Sequence, residues 1–334
     1  MVKNFMLHSL LSKKSPPTEQ PTLWLAPMEG VIDFIMREFL TNFGGIDHCM
    51  TEFIRVVDQP ISDSVFFRDV PELQTQGKTA AGVSVTVQLL GSDANWLSQN
   101  ANRAVELGAK DIDLNFGCPA KTVNRHDGGA TLLKSPDRLY QITSEVRKKL
   151  PAHIPLSAKM RLGYENPEDC LENAAALAAG GVSHLTVHCR TKKQMYAPSA
   201  DWTWLKKIRQ KIQIPLIANG DIFSVADFKK CQDLTECDSF MIGRGALQDP
   251  LLFVKIKGLV EEDAQISSKS IQDFFRANCA VSPHFAQART KQWLKNMTGK
   301  SEKMSAAFEK LKVITEPANF EQELQLLFEK SLQG

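Results

Sequence analysis

Short apolar runs alternate with longer amphipathic stretches along most of this chain. The apolar runs are continuous rather than alternating in polarity, which is typical of strands covered on the outside by helices. Eight of them are predicted as strands, at residues 22–27, 46–51, 83–89, 111–115, 155–160, 184–188, 215–219 and 239–243. Helices are predicted between most of them, at residues 33–43, 93–107, 135–150, 167–179, 201–211 and 224–233. This order predicts an α/β fold, a (β/α)8 TIM barrel, with a doubly wound sheet as the alternative.

The pattern changes after Pro250, where no further strand stands out. Helical periodicity predicts helices over residues 270–279, 284–297, 302–313 and 320–332. We therefore predict a disordered lead-in over residues 1–20, a catalytic barrel over residues 21–250 and a small all-helical domain over residues 251–334. Residues 52–80, between the second and third strands, are predicted as a long loop on the barrel top, where long loops are often functional.

The composition is that of a globular protein with free thiols and without a membrane segment. The chain of 334 residues is 43% hydrophobic and 23% charged, as in ordinary globular proteins. Its net charge of +2 gives no overall field that would recruit nucleic acid, so any basic surface must be local. Seven cysteines without a CxxC pair predict free thiols in a reducing, cytoplasmic compartment and no metal site. No apolar run approaches the roughly 20 residues that span a bilayer, and the N-terminus does not fit a signal peptide, so no membrane association is expected.

Polar residues recur at the carboxyl ends of the predicted strands, the edge where barrels keep their chemistry. The third to sixth strands contribute Gln88, Asn115, Cys118, Lys159, Arg161 and His188. Three of these residues also have a purely structural explanation. Cys118 could be a buried thiol, Lys159 a snorkelling surface lysine and His188 a hydrogen-bonded core histidine. Because an unpaired polar group in an apolar strand costs a few kcal/mol, so many at one edge favour a functional site.

The last two strand ends form a candidate phosphate cradle. Asn219-Gly220-Asp221 follows the seventh strand, and Gly243-Arg244-Gly245 follows the eighth. Exposed backbone N–H groups in glycine turns at these two strands are the usual phosphate site of the fold, and Arg244 would add a bidentate charge. Either glycine turn alone is better explained as a simple turn. The two together favour phosphate binding.

These strand-end motifs together resemble the tRNA-dihydrouridine synthases, an FMN-dependent family. They span the whole predicted barrel: Ala26-Pro27-Met28-Glu29-Gly30, Val87-Gln88-Leu89, Asp113-Leu114-Asn115-Phe116-Gly117-Cys118-Pro119, Gly128-Gly129-Ala130, Lys159-Met160-Arg161-Leu162-Gly163, His188 with Arg190-Thr191, Ala218-Asn219-Gly220-Asp221 and Met241-Ile242-Gly243-Arg244-Gly245-Ala246. Further segments beginning at Thr51, Gly129 and Ala288 are similar to the bacterial C-type branch, which is understood to act on the sixteenth nucleotide of the D-loop.

The resemblance implies FMN-mediated reduction of the C5–C6 double bond of a D-loop uridine in tRNA, with NADPH rather than NADH as reductant. Cys118 matches the family's general acid, and a thiol with a pKa of roughly 8.5 is protonated at neutral pH. Asn115 would hold the uracil edge, and Arg161 would reach substrate or cofactor. The residues implied to hold FMN are Pro27, Met28, Gln88, Lys159, His188, Asn219, Asp221, Gly243 and Arg244.

Two positions depart from the family pattern. Cys189 stands where the family often has glycine, and its larger side chain could shift the loop after the sixth strand. His126-Asp127 stands in the loop implied to close over the substrate, where relatives often carry smaller or more basic residues. Neither departure removes an implied catalytic group.

A local basic surface is predicted near the C-terminus. Residues 289–312 contain two glutamates against seven cations: Arg289, Lys291, Lys295, Lys300, Lys303, Lys310 and Lys312. The usual alternative is a solvated helix face. With the barrel motifs, we predict a surface that follows tRNA phosphates near the D-loop and elbow, with Arg289, Lys291 and Lys295 as contacts. Trp293 is predicted in the core, and a monomer is expected because tRNA itself supplies a large contact surface.

Two other functions stay open at this point. A flavin barrel that acts on a free pyrimidine, like the dihydroorotate and dihydropyrimidine dehydrogenases, would not need the basic helices. A non-catalytic tRNA-binding protein that has kept the barrel would bind tRNA without flavin or turnover. Activity on free uracil or orotate would mark the first, and tRNA binding without flavin would mark the second.

Overall fold

A parallel sheet closes on itself to form the centre of the molecule. The computed structural model describes residues 20–329, which contain these strands: β1 (Thr22–Leu25), β2 (His48–Met50), β3 (Ile54–Arg55), β4 (Ser84–Leu90), β5 (Ile112–Phe116), β6 (Leu156–Arg161), β7 (Leu185–His188), β8 (Leu216–Asn219) and β9 (Ser239–Ile242). β1 pairs with both β2 and β9, and the pairing of β2 with β4 completes the ring. The eight-stranded TIM barrel predicted from the apolar runs is confirmed.

Helices cover the outside of this barrel and follow it. In the described range they are α1 (Phe34–Thr41), α2 (Asp63–Asp69), α3 (Ala94–Glu106), α4 (Lys121–Asn124), α5 (Pro136–Lys149), α6 (Cys170–Ala179), α7 (Thr203–Arg209), α8 (Val225–Thr235), α9 (Arg244–Gln248), α10 (Leu252–Ile256), α11 (Ser268–Cys279), α12 (Pro283–Met297), α13 (Glu302–Leu311) and α14 (Pro317–Glu329). Asp33, Asp93 and Ser224 cap α1, α3 and α8 by accepting a hydrogen bond from a backbone N–H of the first turn.

The segment predicted as a long loop, residues 52–80, has regular structure. β3 extends the sheet beside the end of β4, and α2 and a 3-10 turn at Pro71–Thr75 follow it. Arg37 of α1 is fully buried and donates from Nε to Glu72 Oε1 at 2.9 Å, which ties the segment to the barrel wall. The loop prediction was wrong because the elements of this segment are short, two residues in β3 and seven in α2, and the helical spacing of the buried Phe66, Val70 and Leu73 was overlooked.

The C-terminal helices pack on one another and on the barrel. α12 contacts α9, and α11 contacts α1. Phe39 of α1, Phe274 of α11 and Trp293 of α12 form an aromatic cluster with ring centroids 4.8–5.2 Å apart. Trp293 is buried and donates from Nε1 to the Leu247 carbonyl at 3.2 Å, so its predicted place in the core is confirmed.

Parts of two predictions lie outside the described residues. The disordered lead-in was predicted for residues 1–20, of which the structure describes Gln20 alone. The last predicted helix, at residues 320–332, corresponds to α14, and its final three residues lie beyond the described range. No helix in residues 20–329 combines the length and apolarity that a membrane crossing requires.

Candidate active site

The strand-end residues singled out from the sequence line one cavity of about 370 Å³ at the carboxyl end of the barrel. The cavity wall includes Pro27, Met28, Gln88, Asn115, Cys118, Lys159, Arg161, His188, Asn219, Asp221, Gly243 and Arg244. They come from seven different strands or the turns that follow them. The structure therefore brings together every predicted catalytic and cofactor-binding residue, together with Asn115 and Arg161.

A chain of hydrogen-bonded side chains runs under the wall of the cavity. Asp113 Oδ2 accepts from Gln88 Nε2 at 2.7 Å, and Gln88 Oε1 accepts from Asn115 Nδ2 at 2.8 Å. Asn115 Oδ1 in turn accepts from the backbone N–H groups of Gly117 and Cys118, at 2.9 and 3.0 Å. Gln88 is fully buried, and Asn115 is nearly so. The turn that carries Cys118 is thus fixed by a strand side chain.

Cys118 is held from both sides and kept as a thiol. Its carbonyl accepts from Asn124 Nδ2 at 3.0 Å and from the Ala130 backbone N–H at 3.1 Å. The side chain is only 8% exposed, and burial raises the pKa of the thiol above its usual value. A raised pKa means that the proton stays on sulfur at neutral pH. The residue therefore offers a proton rather than a thiolate nucleophile.

The neighbouring strand β6, which pairs with β5, contributes two cations to the cavity. Lys159 Nζ donates to Asn219 Oδ1 at 3.1 Å, and burial followed by the nearby charge of Arg161 lowers the pKa of Lys159 to about 8. Arg161 donates to the carbonyls of Gly117, Thr191 and Met195 at 3.0–3.1 Å. Burial lowers the pKa of Arg161 to about 10, so it stays charged at neutral pH. These cations favour a ligand that carries or develops negative charge.

His188 stands among these cations without a charge of its own. Burial and then the neighbouring cations Arg161 and Lys159 hold the pKa of His188 well below its usual value. Its Nε2 lies 3.4 Å from Nη1 of Arg190, within hydrogen-bonding distance. A neutral imidazole beside a guanidinium is able to accept a hydrogen bond.

Asp221 organises two arginines at the predicted phosphate cradle. Its Oδ1 accepts from Arg244 Nη2 at 2.8 Å, its Oδ2 accepts from Arg190 Nη2, and Oδ2 also accepts from the Ala200 N–H at 2.8 Å. The backbone of Asp221 lies in the left-handed region, at φ +53°. The carboxylate thus orients guanidinium groups, and a phosphate bound here would meet Arg244 rather than Asp221 itself.

The glycines of the cradle permit close packing. A Cβ at Gly220, where φ is +120°, would lie 2.9 Å from the Ala200 Cβ and 3.1 Å from a carbon of the His188 ring. A Cβ at Gly243 would lie 3.2 Å from Met28 Sδ. Both turns therefore keep a bare backbone at the cavity wall because a side chain would crowd neighbouring site residues.

Tyr196 is a site residue that sequence reasoning missed. It is 54% exposed, it lines the cavity, and Arg244 lies 4.9 Å from the centroid of its ring, with Arg161 at 5.8 Å. It lies in the irregular segment between β7 and α7, where no periodicity draws attention to it. The available signal was an exposed aromatic residue in a loop after a barrel strand.

The three predicted RNA contacts do not line this cavity, and they differ from one another. Arg289 is 6% exposed, and its guanidinium donates to the carbonyls of Gly30 and Val31 at 2.9 and 2.6 Å and pairs with Asp33 at 3.1 Å. Lys291 is half-buried, and its Nζ donates to the Ile314 carbonyl. Lys295 is exposed. Arg289 thus joins α12 to the loop after β1, a use of its charge that the sequence prediction did not include.

The two departures from the motif pattern leave the cavity wall intact. Cys189 is 1% exposed and packs in the core between the barrel and its helices, so its thiol does not enter the site. His126 is exposed, and Asp127 pairs with Arg138 at 2.5 Å on the surface. Neither side chain displaces a predicted site residue.

Comparison with known proteins identifies the family that this chain resembles. The model of the family described as Dihydrouridine synthase (Dus) matches residues 24–333. A tRNA-dihydrouridine(16) synthase of Neisseria meningitidis serogroup A is 44% identical over 306 residues, covering 89% of this chain and 92% of that protein. One of the same name from Pseudomonas putida is 47% identical over 281 residues, covering 82% of this chain and 87% of that protein. The solved histamine dehydrogenase of Rhizobium sp. 4-9 has a TM-score of 0.55 at 14% identity, covering 81% of this chain and 52% of that one, which supports the fold alone.

Proposed function

Because the chain belongs to the dihydrouridine synthase family, we propose that it reduces the C5–C6 double bond of one D-loop uridine in tRNA, at position 16. The family places it among flavin-dependent oxidoreductases that act on tRNA uridine. The observation that carries the proposal is the single cavity in which a protonated Cys118, Asn115 and buried cations meet at the open end of the barrel.

FMN fits the residues of this cavity. Its phosphate needs cations and close backbone approach, which Arg244 and the bare turns at Gly220 and Gly243 provide. Its ring develops negative charge near N1 and O2 on reduction, and Lys159 supplies a buried positive charge. Pro27, Met28, Gln88, His188 and Asn219 complete the proposed FMN site. The chemistry that bound FMN would supply here is the transfer of hydride from NADPH to C6 of the uracil.

Cys118 gives the second hydrogen. Its burial keeps the proton on sulfur, and the hydrogen bonds to its own N–H and carbonyl hold the residue in one place. Protonation of C5 by a positioned acid completes the reduction, a role in which a side chain contributes roughly 10²–10⁴-fold to the rate. Asn115 holds the uracil edge beside it.

Arg161 and Tyr196 form the entrance for the base. The guanidinium of Arg161 is fixed by three carbonyls, and Tyr196 presents an exposed ring close to it. A uridine inside folded tRNA has to be turned out of its stack to reach the cavity, and aromatic rings offer such a base a new stacking surface. We assign Tyr196 this role.

The RNA backbone is held by exposed lysines of the C-terminal helices, including Lys295 and Lys310. Exposed cations on helices track phosphates without reading sequence. Arg289 is not assigned a phosphate contact, because its guanidinium already serves carbonyls of the loop after β1. The enzyme acts as a monomer, with NADPH preferred over NADH.

Mass-spectrometric mapping of modified tRNA tests the proposal. Unmodified tRNA is incubated with the purified protein, FMN and either NADPH or NADH. We expect a gain of two daltons on uridine 16, faster with NADPH. A gain at another uridine would contradict the position, and turnover of free uracil or orotate by flavin-loaded protein without any gain on tRNA would contradict the substrate.

A further inference from the structure

Asp113 is a buried carboxylate that the proposed reaction does not use. It is the second residue of β5, is 0% exposed and accepts hydrogen bonds from Ser157 Oγ at 2.6 Å and Gln88 Nε2 at 2.7 Å. Burial raises the pKa of its side chain to about 6, which shows that its two hydrogen bonds do not fully offset the loss of solvent. An apolar residue at this point of the barrel would avoid that cost.

A carboxylate has one property that a neutral side chain lacks: it only accepts hydrogen bonds. Gln88 must therefore turn its NH2 group toward Asp113 and its oxygen toward Asn115. The oxygen of Gln88 accepts from Asn115 Nδ2, so Asn115 must turn its own oxygen toward the Cys118 turn. One charge thus sets the orientation of two amides in sequence.

The other end of this hydrogen-bonded series, beyond Asn115, requires the same orientation of the two amides. The groups at that end are the backbone N–H groups of Gly117 and Cys118, which can only donate. An acceptor at one end and donors at the other leave the two amides a single consistent arrangement. Asn115 then keeps one Nδ2 hydrogen that has no acceptor in the described residues, and that hydrogen suits a carbonyl oxygen of a pyrimidine rather than an amino group.

We propose that Asp113 is a positioning residue, which acts through Gln88 to fix the amide of Asn115 and, with it, the place of Cys118. This inference rests on the proposed function. It names the origin of a preference for a pyrimidine carbonyl, as in uracil, over an amino group, as in cytosine.

Asp113→Asn tests the proposal with little change of shape. A carboxamide accepts from Gln88 only when its oxygen faces Gln88, whereas either oxygen of the carboxylate accepts, so the Gln88 end of the hydrogen-bonded chain is no longer fixed by a charge and only the backbone N–H groups of Gly117 and Cys118 still fix it. We expect the tRNA-dependent step to slow about tenfold, the equivalent of one lost positioning hydrogen bond. Reduction of the flavin by NADPH, measured by stopped flow without tRNA, should change less than about twofold. Asp111→Asn is the matched control: Asp111 immediately precedes β5 and lies near His48, and its substitution should leave both steps unchanged.

Measuring flavin reduction and the tRNA-dependent step separately distinguishes a loss of positioning from a general loss of structure. An unchanged tRNA-dependent step, or an equal loss in both steps, would overturn the positioning role. A wild-type protein that forms no dihydrouridine at all would instead overturn the proposed function.

Side-chain amide NMR of the flavin-free wild-type protein tests the chain without a variant. As the pH is lowered from 8 to 5, protonation of Asp113 gives it a donor, and the Gln88 and Asn115 amide signals should shift together with a midpoint near pH 6. Lys159 is the charged group that also faces Asp113, and its pKa of about 8 keeps it charged across most of this range. If the chemical shifts of the two amides changed independently or did not change, the proposal that Asp113 acts through Gln88 on Asn115 would be overturned.

Discussion

Single residues of this site owe their chemistry to neighbours that surround them. Burial raises the pKa of Cys118 and keeps the proton on sulfur, and burial together with the nearby charge of Arg161 lowers the pKa of Lys159. The residue types at the strand ends could be predicted from sequence, since polar groups interrupt apolar runs there. Their partners could not, because hydrogen bonds such as that between Gln88 and Asp113 join separate strands.

Replacement of Cys118 by serine should impair the protonation of C5 and leave the reduction of the flavin intact. A hydroxyl is a far weaker acid than a thiol, so dihydrouridine formation should fall by about 100-fold or more. The FMN content and the rate of flavin reduction by NADPH should be retained. Cys279→Ser, at the end of α11, is the control and should leave the reaction unchanged. Full turnover of the Cys118 variant would show that another group supplies the proton.

Asp221→Asn should release the two arginines that it orients. Arg190 is almost fully buried, so loss of its carboxylate partner should lower the free energy of unfolding by about 3 kcal/mol. FMN affinity, measured by fluorescence quenching, should also weaken, because Arg244 loses its fixed place. Asp127→Asn breaks an exposed pair with Arg138 and should cost less than about 1 kcal/mol. Equal effects of the two variants would refute the orienting role.

At the scale of elements, the barrel strands were predictable and the segments around the cavity were not. Each barrel strand is an apolar run because it is covered on both faces, so the run itself marks the strand. β3 and α2 are only two and seven residues long, and the segment that carries Tyr196 is irregular, so none of them forms a long periodic run in the sequence. The partner of Arg289 could not be predicted from the sequence pattern either, because Gly30 is 259 positions away along the chain.

The contact between α12 and the loop after β1 should fix the part of the cavity that includes Met28. Arg289→Lys replaces a fork of donors by one ammonium group, which cannot serve both carbonyls and Asp33 in the same geometry. Hydrogen exchange of peptides covering residues 28–33 should become faster, while the barrel strands stay protected. Lys295→Ala, on the same helix, is the control. Unchanged exchange at residues 28–33 would argue against the contact as a constraint.

For the whole molecule, the nearly neutral net charge means that electrostatic attraction of RNA would have to come from local surfaces. The net charge is only +2, yet the last helices carry many cations. Lys295→Glu combined with Lys310→Glu should weaken tRNA binding and reduce its dependence on salt, with each lost phosphate contact lowering the logarithmic slope by about one. NADPH oxidation without tRNA should not change. Unaltered tRNA affinity would assign these lysines to a solvated face.

A reversed charge elsewhere provides the matched comparison. Lys148 is exposed near the end of α5, which leads to the amino end of β6, opposite to the cavity. Lys148→Glu changes the net charge by as much as each single substitution, Lys295→Glu or Lys310→Glu, with which it is compared, and it should leave tRNA affinity unchanged. An equal loss of affinity would mean that net charge, rather than the C-terminal surface, governs binding.

The bonds from Arg289 to the first loop of the barrel also matter while the chain is being made. Residues that close the sheet, up to β9, leave the ribosome before α12 does, so a nascent barrel can form while the loop beside Met28 still lacks the arginine that holds it. The cavity is finished only when synthesis has passed residue 289. In a partly synthesised chain the barrel strands can therefore pair before the cofactor site is complete. Completion of the site follows the synthesis of α12.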